Sequence, residues 1–396
     1  MKLNTPFYLI LFLLICNCSS DKQTTNGLAF IDAYKNYPEK EILLTDIADV
    51  TYLYLNSDDD DYLYRGTIYC VTKNTIVVCD YFLGNILFFS NDGYPKSRFN
   101  HLGNGPEDYT RPSRIVYDED ADEVFIYSRS SNIQVYSSTG EYKRKIVLPQ
   151  ETIVSSMISF DDQSLFLYDV SINLVPDRKR ETIDDTDYPT QYYSYPFVRI
   201  SKIDGKVLDY AVLPIAPISL TINIDGMRIS PANMQRLIKC ADRVHLCNPE
   251  SDTVYMYGKD KSLIPVLYKT PAVDSTDPMI YLNNCSEAGQ YQFLELVTVR
   301  PGEESPGIFP SKCYMRNKTT GEIVRPVITL PDYKGKEFVF SQGTLGDYDT
   351  GPIFELDLIE LKNAYRENKL SGKLEELVAT LNEDEDNNVF MLVNFK

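Results

Sequence analysis

Short apolar runs alternate with polar breaks along most of the chain, and one arrangement of these runs occurs twice. Residues 77–93 (VVCDYFLGNILFFSNDG) and 124–140 (VFIYSRSSNIQVYSSTG) each contain an apolar strand, a polar break, a second strand and a turn ending in glycine. The copies are 47 residues apart, counted from Gly93 to Gly140. Such a period is typical of β-propeller blades, small antiparallel sheets that bury their faces only by stacking on one another.

The chain before residue 350 shows almost no helical periodicity. It contains five hairpin-like units of this kind. The third unit is interrupted by an insertion between Ser171 and Pro196. The units are predicted over 67–99, 111–148, 157–170 with 197–213, 237–268 and 291–330. Outer hairpins end in glycines, which tolerate positive φ, at Gly93, Gly140, Gly205 and Gly321.

The two ends of the chain complement each other. Residues 41–56 contain strand-like runs without a nearby hairpin partner, and Val389–Phe395 is a lone apolar strand. In a closed propeller the first and last strands often share one blade, which removes free sheet edges. The predicted fold is therefore all-β, a six-bladed β-propeller over residues 40–396, with seven blades as the alternative if residues 272–282 hold another unit.

One passage has helical spacing. Residues 353–368 (IFELDLIELKNAYREN) carry apolar side chains at helical intervals, namely Phe354, Leu358, Leu361 and Tyr365. Residues 373–381 (KLEELVATL) form a second amphipathic run. These runs predict a helical insertion over about 353–382 that packs on the ring or the last blade, and we favour a capping role over a recognition helix.

The N-terminus has the features of an export signal. Lys2 is followed by an apolar stretch over Phe7–Ile15, too short to span a bilayer, which needs about 20 residues. Cys16 and Cys18 come directly after it, in an arrangement that resembles the lipobox of bacterial lipoproteins. We expect a lipoprotein signal peptide over 1–17, lipidation of Cys18 and a polar tether over 18–39. An ordinary secretory signal with incidental cysteines is the alternative.

Charge and cysteine content narrow the possible partners and chemistry. The formal net charge of −18 repels phosphate backbones and anionic membrane faces, so nucleic-acid binding is disfavoured and membrane contact is expected through the lipid alone. The domain lacks the C-x-x-C spacing of a zinc site. Cys70 with Cys79, and Cys240 with Cys247, flank predicted turns and could form disulfides after export, although we favour buried free thiols.

Together these features resemble a known family. The lipobox, ILLTDI at 42–47, the FFSNDG-type turns, GNGPEDY at 103–109 and the closing DNNVFMLVNFK are similar to the six-bladed β-propeller lipoproteins of Bacteroidetes, whose blades are related in style to NHL repeats. The resemblance implies a propeller anchored by lipid in the bacterial cell envelope, at the outer membrane. It implies no general activity and no catalytic residue.

No motif predicts a catalytic centre. The two histidines, His101 and His245, lie in different units without a G-x-S-x-G motif. We expect His245 to be a packed strand residue, whereas His101 lies on a loop that could face a ring opening. GNGPEDYTRPSR at 103–114 has no Lys-Ser/Thr after its glycines, so it is predicted to be a crossing between blades, with Arg111 and Arg114 pairing with acids.

Two enzyme classes are built on propellers. Sialidases carry Asp-box repeats that end in tryptophan, and this chain contains no tryptophan. A metal-dependent lactonase or phosphotriesterase would gather Asp, Asn and Glu around Ca²⁺ in the central channel. The run Asp58–Asp61 lacks the spacing of an EF-hand and is expected to be a solvated loop. No cofactor or metal is predicted, with Ca²⁺ kept as the alternative.

The insertion in the third unit is the strongest candidate for a binding surface. Its segment DDTDYPTQYYSYP concentrates tyrosines among acids and prolines, at Tyr188, Tyr192, Tyr193 and Tyr195. Exposed tyrosines stack on sugars, donate hydrogen bonds or anchor protein partners. A loop whose tyrosines pack back on the blade is the alternative. The predicted function is a non-catalytic module that binds or scaffolds a protein, peptide or glycan; the alternative is a hydrolase or lyase with a metal-assisted site in the channel.

Overall fold

Short strands make up most of the computed structural model. The described residues are 24–25, 28–57, 60–80, 82–149, 152–171, 180–183, 191–216, 218–224, 226–230, 236–240, 243–303, 308–340, 344–345 and 352–396.

The strands are numbered in chain order and grouped by sheet. The first four, which join sheets formed later in the chain, are β1 (Thr24–Thr25), β2 (Leu28–Asp32), β3 (Glu39–Leu43) and β4 (Ala48–Tyr54). Sheet 1 contains β5 (Thr67–Val71), β6 (Thr75–Asp80), β7 (Asn85–Ser90) and β8 (Pro95–Phe99). Sheet 2 contains β9 (Arg114–Asp118), β10 (Glu123–Tyr127), β11 (Asn132–Tyr136) and β12 (Tyr142–Val147). Sheet 3 contains β13 (Val154–Ser159), β14 (Ser164–Asp169), β15 (Arg180–Ile183), β16 (Gln191–Ser201) and β17 (Val207–Pro214).

The second half of the chain continues the pattern. A separate hairpin consists of β18 (Ile222–Ile224) and β19 (Met227–Ile229). Sheet 4 adds to β1 and β2 the strands β20 (Leu237–Cys240), β21 (Arg243–Leu246), β22 (Thr253–Gly258) and β23 (Leu263–Thr270). Sheet 5 adds to β3 the strands β24 (Ile280–Ala288), β25 (Tyr291–Thr298), β26 (Ser311–Asn317), β27 (Ile323–Leu330) and β28 (Tyr333–Glu337). Sheet 6 adds to β4 the strands β29 (Thr344–Leu345), β30 (Pro352–Leu356) and β31 (Val389–Phe395).

The helices are few and short. They are α1 (Leu44–Ile47), α2 (Leu358–Arg366) and α3 (Gly372–Thr380), with 3-10 turns at Asp60–Tyr62 and Val273–Ser275. No helix in the described part of the chain has the length and apolar character needed to cross a membrane.

The main strands of sheets 1 to 5 form antiparallel meanders in which sequence neighbours pair, except that in sheet 3 β14 pairs with β16 instead of β15. The first strands of sheets 1 to 4 contact one another. β5 contacts β9, β9 contacts β13, and β13 contacts β20. In sheets 1 to 4 the first strand of the meander therefore lies on the inside of the assembly and its last strand toward the outside. This arrangement is a β-propeller with few helices, as predicted. The predicted units at 67–99 and 237–268 match sheets 1 and 4 closely, because alternating strand runs end at sharp turns.

The core is divided among the interfaces between neighbouring sheets, each with its own cluster of buried apolar side chains. Phe88 of sheet 1 packs in one cluster with Tyr117 of sheet 2. Clusters of the same kind join sheets 2 and 3, 3 and 4, 4 and 5, and 5 and 6. A further cluster joins Phe390 of sheet 6 to Val78 of sheet 1. The apolar alternation of the strands is thus used on both faces of each sheet.

The N-terminal segment runs along the outer strands of three successive sheets. β2 lies parallel to β23, β3 lies parallel to β27, and β4 pairs antiparallel with β31. The register from Ala48↔Phe395 to Tyr54↔Val389 confirms the predicted pairing of the two chain ends. Residues 28–32 of the expected tether form β2, with Ile31 fully buried, so the folded part reaches back at least to Leu28 and not only to residue 40.

Two other boundaries differ from the sequence prediction. From the sequence alone, residues 272–282 are a possible seventh unit. They contain a 3-10 turn and the start of β24, so they belong to sheet 5. Residues 353–356 pair with β31 as part of β30, and the helix starts only at Leu358 because the Asp357 side chain caps it by accepting the Glu360 N–H. Leu361 and Leu374 of α2 and α3 are buried in the cluster between sheets 5 and 6, which confirms that the insertion packs on the last sheets.

The repeated glycine turns also join neighbouring sheets. Gly140 has a φ of 89°, and a Cβ added there would lie 2.5 Å from Cβ of Phe99, the last residue of β8. Gly205 makes the equivalent approach to the carbonyl oxygen of Val147, the last residue of β12, where an added Cβ would lie 2.5 Å away. Glycine is therefore required at these turns for two reasons. The backbone has a positive φ, and a side chain would collide with the preceding sheet.

We expect Gly140→Ala to destabilise the fold more than Gly335→Ala. Gly335 also has a positive φ of 79°, but nothing lies within 4 Å of an added Cβ. The control should cost about 1 kcal/mol for the left-handed backbone. Gly140→Ala should cost about 1–3 kcal/mol more for overpacking against Phe99. Guanidinium unfolding measures both, and equal losses of unfolding free energy would contradict the proposed sheet contact.

Candidate functional site

The two edges of the sheets differ in the connections they carry. In an antiparallel meander, successive connections leave alternately from the two edges. One edge carries short turns, at 72–74, 91–94, 119–122, 137–141, 160–163, 202–206, 259–262, 289–290 and 318–322. The opposite edge, named here the connection end, carries the long connections, which include 100–113, 357–388 and the described parts of those between β14 and β16, β17 and β20, and β25 and β26; it also carries short turns such as that between β6 and β7. Binding residues concentrate on long loops held by a rigid scaffold, so the connection end is the candidate functional site.

The tyrosine-rich insertion belongs to this end. β14 pairs with β16 from Ser164↔Ser201 to Tyr168↔Phe197, and β16 begins six positions before Phe197, at Gln191. This earlier part pairs with β15, through Thr182↔Tyr192 and Glu181↔Tyr193, and with β17. The insertion thus extends the sheet beyond β14, where the sequence suggested a loop.

The structure places the backbone of part of the predicted tyrosine set. Tyr192, Tyr193 and Tyr195 lie on one extended strand, β16. Their side chains and all of Tyr188 lie outside the described residues. The binding role of these tyrosines therefore stays a prediction.

Buried carboxylates hold the connections in place where the second strand of a sheet ends. In sheet 3, Asp169 Oδ1 accepts the N–H groups of Ile153, at 3.1 Å, and of Ser171, at 2.9 Å. In sheet 1, Asp80 Oδ1 accepts the N–H groups of Phe82 and Leu83. Sequence reasoning missed both acids. The sequence feature that marks them is their position, directly after the last apolar residue of a strand. Aspartate at that position is also common in ordinary turns.

A third carboxylate serves the same purpose in sheet 4. Asp252 accepts the Val273 N–H at 2.9 Å and pairs with the fully buried ammonium of Lys269 at 2.9 Å. Burial raises the pKa of Asp252, and Lys269 opposes that shift only in part. The pair fixes the connection from sheet 4 to sheet 5, so it is structural.

Two arginines lie near the inner strands at this end, Arg114 half-buried and Arg236 buried. Arg114, the first residue of β9, donates from Nε to the Ser155 carbonyl oxygen at 2.5 Å and so bridges sheets 2 and 3. The guanidinium of Arg236 lies 5.5 Å from the centroid of the Tyr168 ring. Arg114 was expected to pair with an acid. It donates to carbonyl oxygens instead, because the start of an inner strand faces the neighbouring backbone.

Neither histidine forms part of a catalytic arrangement in the described residues. His101 lies on the crossing from sheet 1 to sheet 2, where its ring stacks on Tyr136 at 5.0 Å and its Nε2 lies 2.8 Å from the Gly140 carbonyl oxygen. The segment at 103–114 is that crossing, as predicted. His245 is buried in β21, also as predicted.

His245 belongs to a polar cluster between sheets 4 and 5. Its Nδ1 lies 3.2 Å from the Cys285 carbonyl oxygen, and its Nε2 lies 3.6 Å from Glu287 Oε1. Burial lowers the pKa of His245, although Glu287 favours the charged form. Burial alone would raise the pKa of Glu287, but His245, Lys318 and Gln292 together hold it below its ordinary value. The cluster lies toward the short-turn edge, away from the connection end.

The buried cysteines are unreactive. Cys79, Cys247 and Cys285 are buried free thiols, so neither Cys70–Cys79 nor Cys240–Cys247 forms a disulfide. Burial raises the pKa of Cys79 and of Cys247 to about 12. These thiols therefore stay protonated at neutral pH.

No metal centre is formed by the described ranges, in which no group of three or more His, Cys, Asp and Glu side chains is placed to hold a metal ion. Asp61, from the run considered for an EF-hand, pairs with Arg98. The Ca²⁺ alternative therefore stays a prediction without structural support.

Ring-stacked meanders with long connections at one edge define the class of this chain as a β-propeller. The chain belongs to the family described as "Domain of unknown function (DUF4934)", whose profile matches residues 28–394. No curated protein matches it.

Among solved structures, one from Bacteroides shares the fold of this chain. A protein of Bacteroides fragilis NCTC 9343, described as exported, has a TM-score of 0.62 and 17% identity, covering 93% of this chain and 100% of its own. A DUF4221 family member of Bacteroides vulgatus ATCC 8482 has a TM-score of 0.48 and 12% identity, covering 88% of this chain and 97% of its own. The predicted likeness to propellers of this bacterial group holds at the level of the fold.

Stability should fall on acidification because of His245. Its folded pKa lies below the unfolded value of about 6.5, so the unfolded chain binds the proton first and stability is lost as pH falls below about 6.5. The loss is at most about 1.4 kcal/mol per pH unit for one proton. Urea unfolding at pH 7.5, 6.5 and 5.5 should give a smaller drop for His245→Gln than for the wild type. Parallel pH profiles would contradict this role of His245.

Proposed function

We propose that this chain is a non-catalytic binding or scaffolding module of the bacterial cell envelope, anchored by a lipid on Cys18. The observation that carries the proposal is the difference between the two sheet edges. Short turns occupy one edge, whereas long connections occupy the other, where the carboxylates of Asp80, Asp169 and Asp252 accept backbone N–H groups and fix the chain between strands. A rigid ring with elaborated loops on one edge suits the presentation of a contact surface.

The ring in this proposal has six blades. Sheets 1 to 5 each provide one blade whose meander comes from a single stretch of chain, with β1, β2 and β3 added to sheets 4 and 5, and sheet 6, assembled from β4 and the C-terminal strands, provides the sixth. The cluster that joins Phe390 to Val78 supports this count, because it gives sheet 6 a neighbour on either side. Such a blade shared between the chain ends leaves no free edge at the ring closure.

The ligand in this proposal is a protein, peptide or glycan that contacts Tyr188, Tyr192, Tyr193 and Tyr195. The extension of β16 beyond β14 supports it, since a paired strand holds side chains at lower entropic cost than a free loop. Aromatic rings at such a place stack on sugars and anchor protein partners.

The envelope location in this proposal follows from the N-terminal residues. The apolar stretch Phe7–Ile15 with the cysteine that follows it fits a lipoprotein signal, and the outer membrane is the proposed destination. The related fold of an exported Bacteroides protein is consistent with it. The net charge of −18 suits a domain that reaches the membrane through its lipid alone.

Replacing Tyr192 and Tyr193 together by alanine should strongly weaken ligand capture. Loss of two stacking anchors is expected to weaken binding about tenfold or more. The purified mature domain is tested on a glycan array and on arrayed peptides. Tyr94→Ala is the matched control, because Tyr94 is an exposed tyrosine in the short turn at 91–94 on the other edge. Unchanged capture by the double variant would reject the tyrosine surface.

Labelling with radioactive palmitate tests the anchor. The full-length protein should incorporate palmitate, and Cys18→Ala should lose the label because the acylated thiol is gone. Cys16→Ala serves as control and should keep it. Equal labelling of the wild type and Cys18→Ala would contradict the anchor without affecting the tyrosine surface.

A further inference from the structure

A second surface at the connection end lies on sheet 1. The turn between β6 and β7 holds Phe82 with 74% and Leu83 with 62% of their surface exposed. Asp80, itself buried, fixes this turn through its Oδ1, which lies 3.1 Å from the Phe82 nitrogen and 3.0 Å from the Leu83 nitrogen. Two large apolar side chains are thus presented to solvent by a backbone that is tied down.

The crossing to sheet 2 braces the same turn from the other side. Asn100 Nδ2 donates to the Leu83 carbonyl oxygen at 2.8 Å, and the Tyr109 hydroxyl donates to the Gly84 carbonyl oxygen at 2.6 Å. Leu102, 45% exposed, lies against Gly84, where an added Cβ would be 2.7 Å from the leucine Cβ. The crossing therefore adds a third apolar side chain beside the turn.

The connection from sheet 6 adds a fourth. The Arg65 N–H donates to Asp80 Oδ2 at 3.4 Å, which places residues 63–66 beside the turn, and Leu63 is exposed. We call Leu63, Phe82, Leu83 and Leu102 the apolar patch. Three separate segments contribute to it, so its exposure does not come from the tip of a single loop. Contiguous exposed apolar side chains on a fixed backbone mark protein contact sites.

Acidic residues lie beside the apolar patch. Asp60 and Asp61 form the 3-10 turn directly before Leu63, while Glu107 and Asp108 lie on the crossing that carries Leu102. The neighbouring cations are Arg98, which pairs with Asp61, Arg65, and Arg111 on the crossing, so the acids outnumber them by one. The surroundings favour a cationic partner and disfavour an anionic membrane surface.

We propose that the apolar patch docks a protein segment that carries bulky apolar side chains next to lysine or arginine. The apolar side chains would cover Phe82 and Leu83, and the cations would face Asp60, Glu107 and Asp108. This surface lies on sheets 1 and 2 and shares no residue with the tyrosine insertion of sheet 3. The proposal gives the binding module a second contact surface. Its test is independent of the test of the tyrosine surface.

Fluorescence anisotropy with synthetic peptides tests the proposal on the mature domain. Three peptides carry the same Phe-Leu pairs flanked by lysines, by serines or by glutamates. The lysine peptide should bind tightest and the glutamate peptide weakest, with affinity falling as salt is raised. Phe82→Ser with Leu83→Ser should weaken the lysine peptide about tenfold or more. Ile203→Ser is the matched control, because Ile203 is 74% exposed on a short turn of sheet 3, and it should leave binding unchanged.

Several results would overturn the proposal. These are equal loss in the Phe82/Leu83 and Ile203 variants, no preference for the lysine peptide, or binding of phosphatidylglycerol vesicles that the Phe82/Leu83 variant loses. A dimer seen by sedimentation that this variant disrupts would assign the patch to a second copy instead. Circular dichroism confirms that each variant is folded. The Tyr192/Tyr193 double variant should bind the lysine peptide normally, which separates this surface from the tyrosine surface.

Discussion

The pairing of β4 with β31 is the interaction on which the rest of the propeller depends. Each sheet buries its faces only against its neighbours, so an open ring would leave one face of sheet 6 and one face of sheet 1 in water. The backbone ladder from Ala48↔Phe395 to Tyr54↔Val389 places Leu53 and Phe390 in the apolar cluster with sheet 1. Residues far apart in sequence must meet before the first and last sheets can stack.

Local patterns were predictable because local chemistry determines them. Gly93 and Gly140 mark hairpin turns whose positive φ any sequence must satisfy, and the boundaries of sheet 1 followed from them. The strand β2 was missed because it pairs in parallel with β23 far along the chain, which leaves no turn signal beside it. Residues 353–356 were assigned to a helix because a short apolar run fits either period, and its pairing with β31 decides the outcome.

The candidate site could be predicted only in part, for a related reason. A tyrosine-rich interruption of a repeat can be read directly from the amino-acid sequence, so Tyr192 and Tyr193 could be singled out. The apolar patch could not, because Leu63, Phe82 and Leu102 come from three segments that meet only in the folded ring. Asp80 gives no signal in the sequence beyond that of an ordinary turn residue, and its importance lies in the N–H groups that converge on it.

The course of residues 28–54 also has a mechanical consequence. A pull at the N-terminus along the axis of β2 would load its ladder with β23 in shear, so that all of its hydrogen bonds share the force at once. Force that passed this ladder would meet β3 on sheet 5 and then β4 on sheet 6. The strand that closes the ring is therefore the last to feel tension from the N-terminal side. If the domain were tethered at that end, its ring would stay shut while the tether was stretched.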